Sequence, residues 1–225
     1  MKTNRCHAIL FDLDGTLIDS SRDLIHSLNL TLRQLNFPAI DYTTGVPFIG
    51  DGIQMLIKRA LAYAQSGKPE TEVDGTLLDR AEKLYHKMYR KHMLDTTLPY
   101  PFVAETLVRL IEIPLAVISN KAFVYTQAIL THFGMDRYFS LILGGDSLPR
   151  KKPDPQPLLH AARRFRIEPQ HCLMVGDSEK DIIAAKNAGI PVCAVTFGLS
   201  PKETLRAQNP DYLIDRMTDL LKIVI

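Results

Sequence analysis

Four short segments carry the residue types and spacings that could do chemistry. FDLDGTLIDS at 11–20 places two carboxylates, Asp12 and Asp14, two residues apart at the end of an apolar run. VISNK at 117–121 ends another apolar run with Ser119 and Asn120, KKPDP at 151–155 offers Lys152, and VGDSEKD at 175–181 brings Asp177 and Asp181. Carboxylates with a hydroxyl and a lysine suit phosphoryl transfer. There an attacking oxygen, a leaving oxygen and three charged equatorial oxygens share one small volume, so catalysis is mainly positioning and charge neutralisation. A carboxylate approaching a phosphate is repelled, by ~4 kcal/mol for unit charges 4 Å apart at an effective dielectric of 20. Something cationic must offset this, and a hard, oxygen-liganded ion such as Mg²⁺ suits a carboxylate cluster.

Each residue also has an ordinary structural reading. Asp-Gly is a common turn pair, and Ser119 after a strand could cap a helix. Asp181 could sit in the first turn of a helix, where the dipole favours acids. Lys152, beside Arg150 and Lys151, could be a solvated loop charge. Taken singly these readings are as good as the functional ones; the ordered set is what outweighs them.

The elements that must position these residues can be read from hydrophobic periodicity. His7–Phe11 is a short apolar run stopping at the first acid, the pattern of a buried strand. A helix follows with Leu24, Ile25, Leu28, Leu32 and Leu35 on one face, ending near Asn36. A second, after Gly50-Asp51-Gly52, carries Ile53, Leu56, Ile57, Ala60, Leu61 and Ala64 at the 3.6-residue period. A third carries Leu77, Leu78, Ala81, Leu84, Tyr85 and Met88. From about residue 100, strands alternate with helices. Strands are expected at Leu115–Ile118, Phe139–Leu143, Cys172–Val175, Val192–Val195 and Tyr212–Ile214, with helices near 102–111, 121–133, 155–166, 179–188 and 216–222. Such alternation predicts an α/β fold, a parallel sheet with helices on both faces. The first strand belongs to that sheet, so the division expected is a core of 1–19 and 93–225 interrupted by a helical insert, 20–92. Ligands of such sheets bind beyond the strands' carboxyl ends, which is where Asp12, Asp14, Ser119, Asn120, Asp146 and Asp177 fall.

In this order the four segments resemble the haloacid dehalogenase superfamily of phosphohydrolases, and the match runs over almost the whole chain. The resemblance implies a Rossmann-like parallel core with an α-helical cap domain, Mg²⁺ as cofactor, and hydrolysis of a small phosphate monoester through an aspartyl-phosphate. It implies that Asp12 is the nucleophile and a metal ligand, and that Asp14 gives its backbone carbonyl to the metal and its side chain to acid–base work. Asp177 would be a third ligand, with Asp181 supporting the metal. Ser119 and Lys152 would hold the phosphoryl group, with Thr16 and Asn120 beside it at the substrate. The insert follows the first motif, the cap position of members acting on small metabolites. FIGDGIQMLIKRAL at 48–61, PYPFVAETL at 99–107 and GGD at 144–146 look like the phosphoglycolate phosphatase branch. This implicates the Gly50, Asp51, Gly52 loop and Lys58 or Arg59 in recognising a second anionic group. Phe102 departs from that branch, which commonly has glycine there. A phosphatase or pyrophosphatase for another small phosphate, or a sugar phosphomutase, remains an alternative, although Thr16 disfavours the mutase. A non-catalytic phosphate-binding module fits less well, because Asp12, Asp14, Lys152 and Asp177 are all present.

Composition narrows the classes further. With 27 basic and 25 acidic residues, net charge +2, there is no electrostatic footprint for nucleic acid. Hydrophobic residues make up 46% and charged residues 23%, as in ordinary soluble domains. No stretch approaches the roughly 18 apolar residues of a membrane span, and the apolar run before Asp12 is too short for a signal peptide. Cys6, Cys172 and Cys193 have no CxxC spacing and read as reduced thiols, consistent with a cytoplasmic protein. A monomer or homodimer is expected, with a small phosphate ester as its partner. Gly50-Asp51-Gly52 has no third glycine at 55 for a dinucleotide fingerprint. His86 and His92 lie six apart, not at metal-ligand spacing, and His132, His160 and His171 have no paired ligand nearby in sequence.

Overall fold

The computed structural model of the chain describes residues 6–224. In chain order the elements are β1 (Ala8–Phe11), β2 (Ile18–Asp19), α1 (Ser21–Gln34), α2 (Tyr42–Gly45), α3 (Ile53–Ser66), α4 (Gly75–His92), β3 (Leu98–Pro99), α5 (Val103–Arg109), β4 (Leu115–Ile118), α6 (Phe123–His132), β5 (Leu141–Leu143), α7 (Gln156–Phe165), β6 (Cys172–Gly176), α8 (Glu179–Ala188), β7 (Val192–Val195), α9 (Lys202–Ala207), β8 (Tyr212–Ile214) and α10 (Leu221–Val224). They fall into two compact units. One comprises the residues up to Asp19 with those from Pro99 onward; the other is Ser20–Leu98.

The first unit is built on a parallel sheet, six-stranded among the described residues, in the order β5-β4-β1-β6-β7-β8. β1, β4 and β7 are buried at every position, as is β6, because helices cover both faces. This explains why they read as continuous apolar runs rather than alternating ones. One core layer joins Ala8 and Leu10 of β1 to Ala116 and Ile118 of β4, Met174 of β6, Leu158 of α7, Ile182 of α8 and Leu205 of α9. β1 lies at the centre, with Ile9 opposite Leu115 on one side and Leu173 on the other. The sequence runs outward from it in both directions, so β1 marks the switch point where ligands bind in such sheets.

The second unit is helical, with α1 packed on α3 and α4. Its core takes Leu24, Ile25, Leu28 and Leu32 from α1, Leu56, Ile57, Ala60 and Leu61 from α3, and Ala81, Tyr85, Met88 and Tyr89 from α4. Each set recurs every three or four residues and lies along one face of its helix. Tyr85 and Tyr89 stack at 5.6 Å, and the Tyr85 hydroxyl donates to Leu24 O at 3.4 Å.

Several boundaries differ from the sequence expectation, each for a local reason. The helical unit ends at Leu98 rather than 92, because Asp23 of α1 binds the chain at Thr96 and Thr97. α4 begins at Gly75 because the Asp74 side chain caps it, accepting from Leu77 N–H at 2.9 Å. β5 begins at Leu141, not Phe139, because Phe139 closes a 3₁₀ turn with its N–H on Asp136 O. β2 and β3 pair in a separate two-stranded sheet and are too short to leave a periodic signal.

Candidate active site

Asp12 and Asp14 follow β1, Ser119 follows β4 and Asp177 follows β6, and these three strands are adjacent in the sheet. The Asp12 Oδ1 atom accepts from Leu13 N–H at 2.7 Å and is 2.9 Å from the Lys152 Nζ. Lys152 also donates to Asp181 Oδ1 at 2.6 Å. It is 2% exposed, so it is not a solvated loop charge but a buried ammonium between two carboxylates. Burial alone disfavours its charge, yet the two partners outweigh that and raise its pKa.

Asp181 has both oxygens engaged. The second accepts from the N–H and hydroxyl of Ser178 at 3.1 and 2.6 Å, a helix-capping arrangement at the start of α8. The structural reading of this residue, an acid in the first turn of a helix, is thus what these hydrogen bonds show. Asp177 is held differently: Thr16 Oγ1 donates to Oδ1 at 3.1 Å and Leu199 N–H to Oδ2 at 2.8 Å. Thr16 is fully buried. Two glycines leave room for Asp177. A Cβ on Gly15, which has φ +85°, would stand 2.1 Å from its Oδ2, and one on Gly198 would stand 2.3 Å from its Cβ.

Ser119 does not cap α6, whose N-cap position is Ala122. Its Oγ accepts from Lys121 N–H at 3.2 Å, and Asn120 Nδ2 donates to Lys152 O at 2.9 Å, tying the second segment to the third. Asp146, a strand-end acid with no role assigned, accepts from Phe123 N–H at the start of α6. Gly144 and Gly145 pack directly on the same stretch. Added Cβ atoms would meet Phe123 N at 2.2 Å and Asn120 O at 2.3 Å. The GGD signal thus shapes the Ser119–Lys121 loop.

Sequence reasoning missed Lys121. Its ammonium lies 3.0 Å from Asp14 Oδ2, and the residue is buried. It was visible only as the last letter of VISNK. It also missed Gly198 and Leu199, because no residue type after β7 advertises a backbone N–H. The other candidates, Gly50, Asp51, Gly52, Lys58 and Arg59, belong to the helical unit. There Arg59 pairs with Asp51 at 2.6 Å and donates to Phe48 O at 3.2 Å, and Lys58 makes a longer, exposed pair with Glu72 at 3.6 Å.

The electrostatics ask for more positive charge. One oxygen each of Asp12, Asp177 and Asp181 lies within 4.8 Å of the others. Burial, with Asp181 and Asp14 nearby, pushes the Asp12 carboxyl up to about 7 in spite of Lys152. Burial, with Asp12 and Asp181 nearby, pushes Asp177 well above the carboxylate range. A crowded set of carboxylate oxygens, with no sulfur or nitrogen among the donors, fits a hard divalent cation such as Mg²⁺.

The model of the haloacid dehalogenase-like hydrolase family matches residues 9–195. The chain belongs to that family. Among relatives of this haloacid dehalogenase-like hydrolase, a phosphoglycolate phosphatase of Chromobacterium violaceum is 38% identical over 99% of both chains. One of Neisseria meningitidis is 41% identical over 95% of this chain and 91% of its own. A crystal structure described as a predicted phosphoglycolate phosphatase from Haemophilus somnus superposes with a TM-score of 0.92 at 35% identity, covering all of both chains. The six-stranded parallel sheet and its helices are thus those of a known haloacid dehalogenase-like architecture. No described helix is long and apolar enough to cross a membrane.

Proposed function

We propose that this hydrolase is a Mg²⁺-dependent phosphatase of small phosphate monoesters, 2-phosphoglycolate foremost, working through a phosphorylated Asp12. The observation that carries the reading is the Asp12 carboxylate gripped at Oδ1 by Leu13 N–H and Lys152, amid Asp177 and Asp181. Asp12, Asp177 and the Asp14 carbonyl would hold the cation, with Asp181, whose oxygens are already engaged, acting through water. When bound, Mg²⁺ supplies charge that offsets the repulsion between nucleophile and phosphate.

The grip on Oδ1 orients the carboxylate and leaves Oδ2 to attack phosphorus. A P–O bond forms to Asp12 as the ester P–O bond breaks, and the leaving oxygen keeps the electron pair and takes a proton from Asp14. In the second half Asp14 accepts a proton from water, which attacks the phospho-aspartate and releases phosphate and free Asp12. Lys121 holds Asp14 for both transfers. Ser119, Asn120 and Lys152 steady the phosphoryl oxygens, and Thr16 fixes Asp177. Selectivity for an ester bearing a carboxylate is assigned to the helical unit, with Lys58 as the more available cation because Asp51 already holds Arg59. The phosphoglycolate assignment draws on the named relatives; the chemistry draws on the acids.

The test uses purified protein, Mg²⁺ and a panel of small phosphate esters. Phosphoglycolate should give the highest kcat/KM, and excess chelator should abolish turnover. Asp12→Asn should form no phospho-enzyme. Asp14→Asn should slow turnover by about 10²–10⁴-fold and, with nitrophenyl phosphate, accumulate phosphorylated Asp12. Lys58→Ala should raise KM for phosphoglycolate and leave nitrophenyl phosphate hydrolysis unchanged. Turnover by Asp12→Asn would refute covalent catalysis, while a low rank for phosphoglycolate would remove only the substrate assignment.

A further inference from the structure

A second cluster of ligating side chains lies within the helical unit. His26 of α1 and His92, the last residue of α4, meet edge to face with ring centroids 5.1 Å apart at 80°. The His92 Nδ1 is 2.7 Å from Asp95 Oδ2. One ligating atom from each of the three lies within 4.8 Å of the others. His92 has no ligand partner at helical spacing along its own helix; the packing of α1 on α4 supplies one.

Hydrogen bonds beside the cluster fix its backbone. Asp23, one turn before His26 on α1, accepts from the N–H and hydroxyl of both Thr96 and Thr97, at 2.6–3.0 Å. That fixes the chain just after Asp95 against the helix that carries His26, so little ordering is left for a ligand to impose. His26 and Asp95 are exposed and can adjust. A tetrahedral ion with bonds of about 2.0–2.1 Å sets its ligand atoms about 3.4 Å apart; the His92–Asp95 pair at 2.7 Å has only to open slightly, and all three atoms already lie within 4.8 Å of one another. Arg22, the cation one turn from His26, is turned onto the Tyr42 ring at 5.2 Å.

We propose that His26, His92 and Asp95 form a transition-metal site of the Zn²⁺ class, which clamps α1 to the segment by which the chain leaves the helical unit. Two imidazole nitrogens and one carboxylate oxygen suit Zn²⁺, with water in the fourth position, and reject Mg²⁺, which prefers oxygen. The competing reading is a plain hydrogen bond between His92 and Asp95 at the end of α4.

The test titrates the full chain with Zn²⁺ by calorimetry, in excess Mg²⁺ to occupy the acidic cluster. One Zn²⁺ per chain should bind at micromolar concentration or tighter, and Co²⁺ in its place should give the visible bands of a four-coordinate centre. His26→Gln and, separately, Asp95→Asn should each weaken Zn²⁺ binding by about 100-fold or more and leave Mg²⁺-supported nitrophenyl phosphate hydrolysis unchanged. Zn²⁺ should also slow amide exchange at Thr96 and Thr97. Absence of binding, or binding unaltered in both variants, overturns the site; binding without slower exchange overturns the clamp. Circular dichroism checks that both variants fold, and two exposed positions provide independent readings.

Discussion

Lys152 is the residue whose neighbourhood is least like what its sequence context suggests. Three consecutive basic residues, Arg150 to Lys152, look solvated, yet the last is buried between Asp12 and Asp181. Lys152→Met should therefore act twice. In the proposed mechanism it removes a charge that faces the phosphoryl group, which should lower kcat by about 10²–10³-fold. It also leaves the buried Asp181 and the half-buried Asp12 without their shared partner, a change typically costing about 3–5 kcal/mol for a buried pair, readable by denaturant titration. Lys152→Arg should not restore activity, because a planar fork does not fit where a compact ammonium sits. The Asp12 carboxyl gives a pH prediction. Held near 7 in the folded protein against ~3.9 unfolded, it binds a proton that the unfolded chain releases, so between about pH 4 and 7 its contribution to stability falls as pH rises. Mg²⁺ needs the ionised form. The melting-temperature rise on adding Mg²⁺ should accordingly be small at pH 5 and large at pH 8; equal rises would contradict the assignment of Asp12 to the metal. The acids themselves were legible because carboxylates at strand ends have few structural reasons to recur. Lys121 was not, because its partner Asp14 is distant in the chain and only the pairing of β1 with β4 brings them together.

Among the elements, α1 shows how one side chain sets a boundary. Burial alone would raise the Asp23 pKa, but the hydrogen bonds from Thr96 and Thr97 outweigh it and hold it below the usual value. Asp23→Asn offers one acceptor oxygen where donors converge on two, and should cost about 1.5–3 kcal/mol at neutral pH. The sign of the pH dependence follows from a lowered folded pKa. The stabilisation is complete above the unfolded value of about 3.9 and is lost as pH falls through the folded one, so the gap between wild type and variant should close in acid. In sequence Asp23 is simply an acid in the first turn of a helix, and nothing there marks its bonds to Thr96 and Thr97 some seventy residues on. Phe102 stands where the resembled branch commonly has glycine, and the backbone there suits glycine: φ is +66° at the start of α5, in the left-handed region. The side chain is half exposed and loses little by removal. Phe102→Gly should stabilise by about 0.5–1 kcal/mol, the relief of a left-handed L-residue less the added freedom of glycine in the unfolded chain. A loss of stability in urea titration would mean the ring packs better than its exposure indicates.

At the scale of the whole molecule, the alternation of apolar runs and helical stripes carried both the parallel sheet and the helical insert, because each burial pattern has its own period. Strand order is another matter. Nothing in residues 8–11 says that their neighbours are 115–118 and 172–176; that order is a property of the assembled sheet. Its placement of β1 at the centre bears on how the chain is made. The ribosome releases β1 first, a strand with every side chain buried in the finished sheet, and neither flanking strand exists until much later. Until Cys172–Gly176 has emerged, one edge of β1 has no partner, and an open apolar edge is a site for wrong pairing. The whole helical unit is synthesised during that wait, while the strand that leads into Asp12 stays unplaced. A chain interrupted before β6 would lack Asp177 and Asp181 and would also leave its central strand half covered, so premature termination here should yield a sticky fragment rather than a weak enzyme.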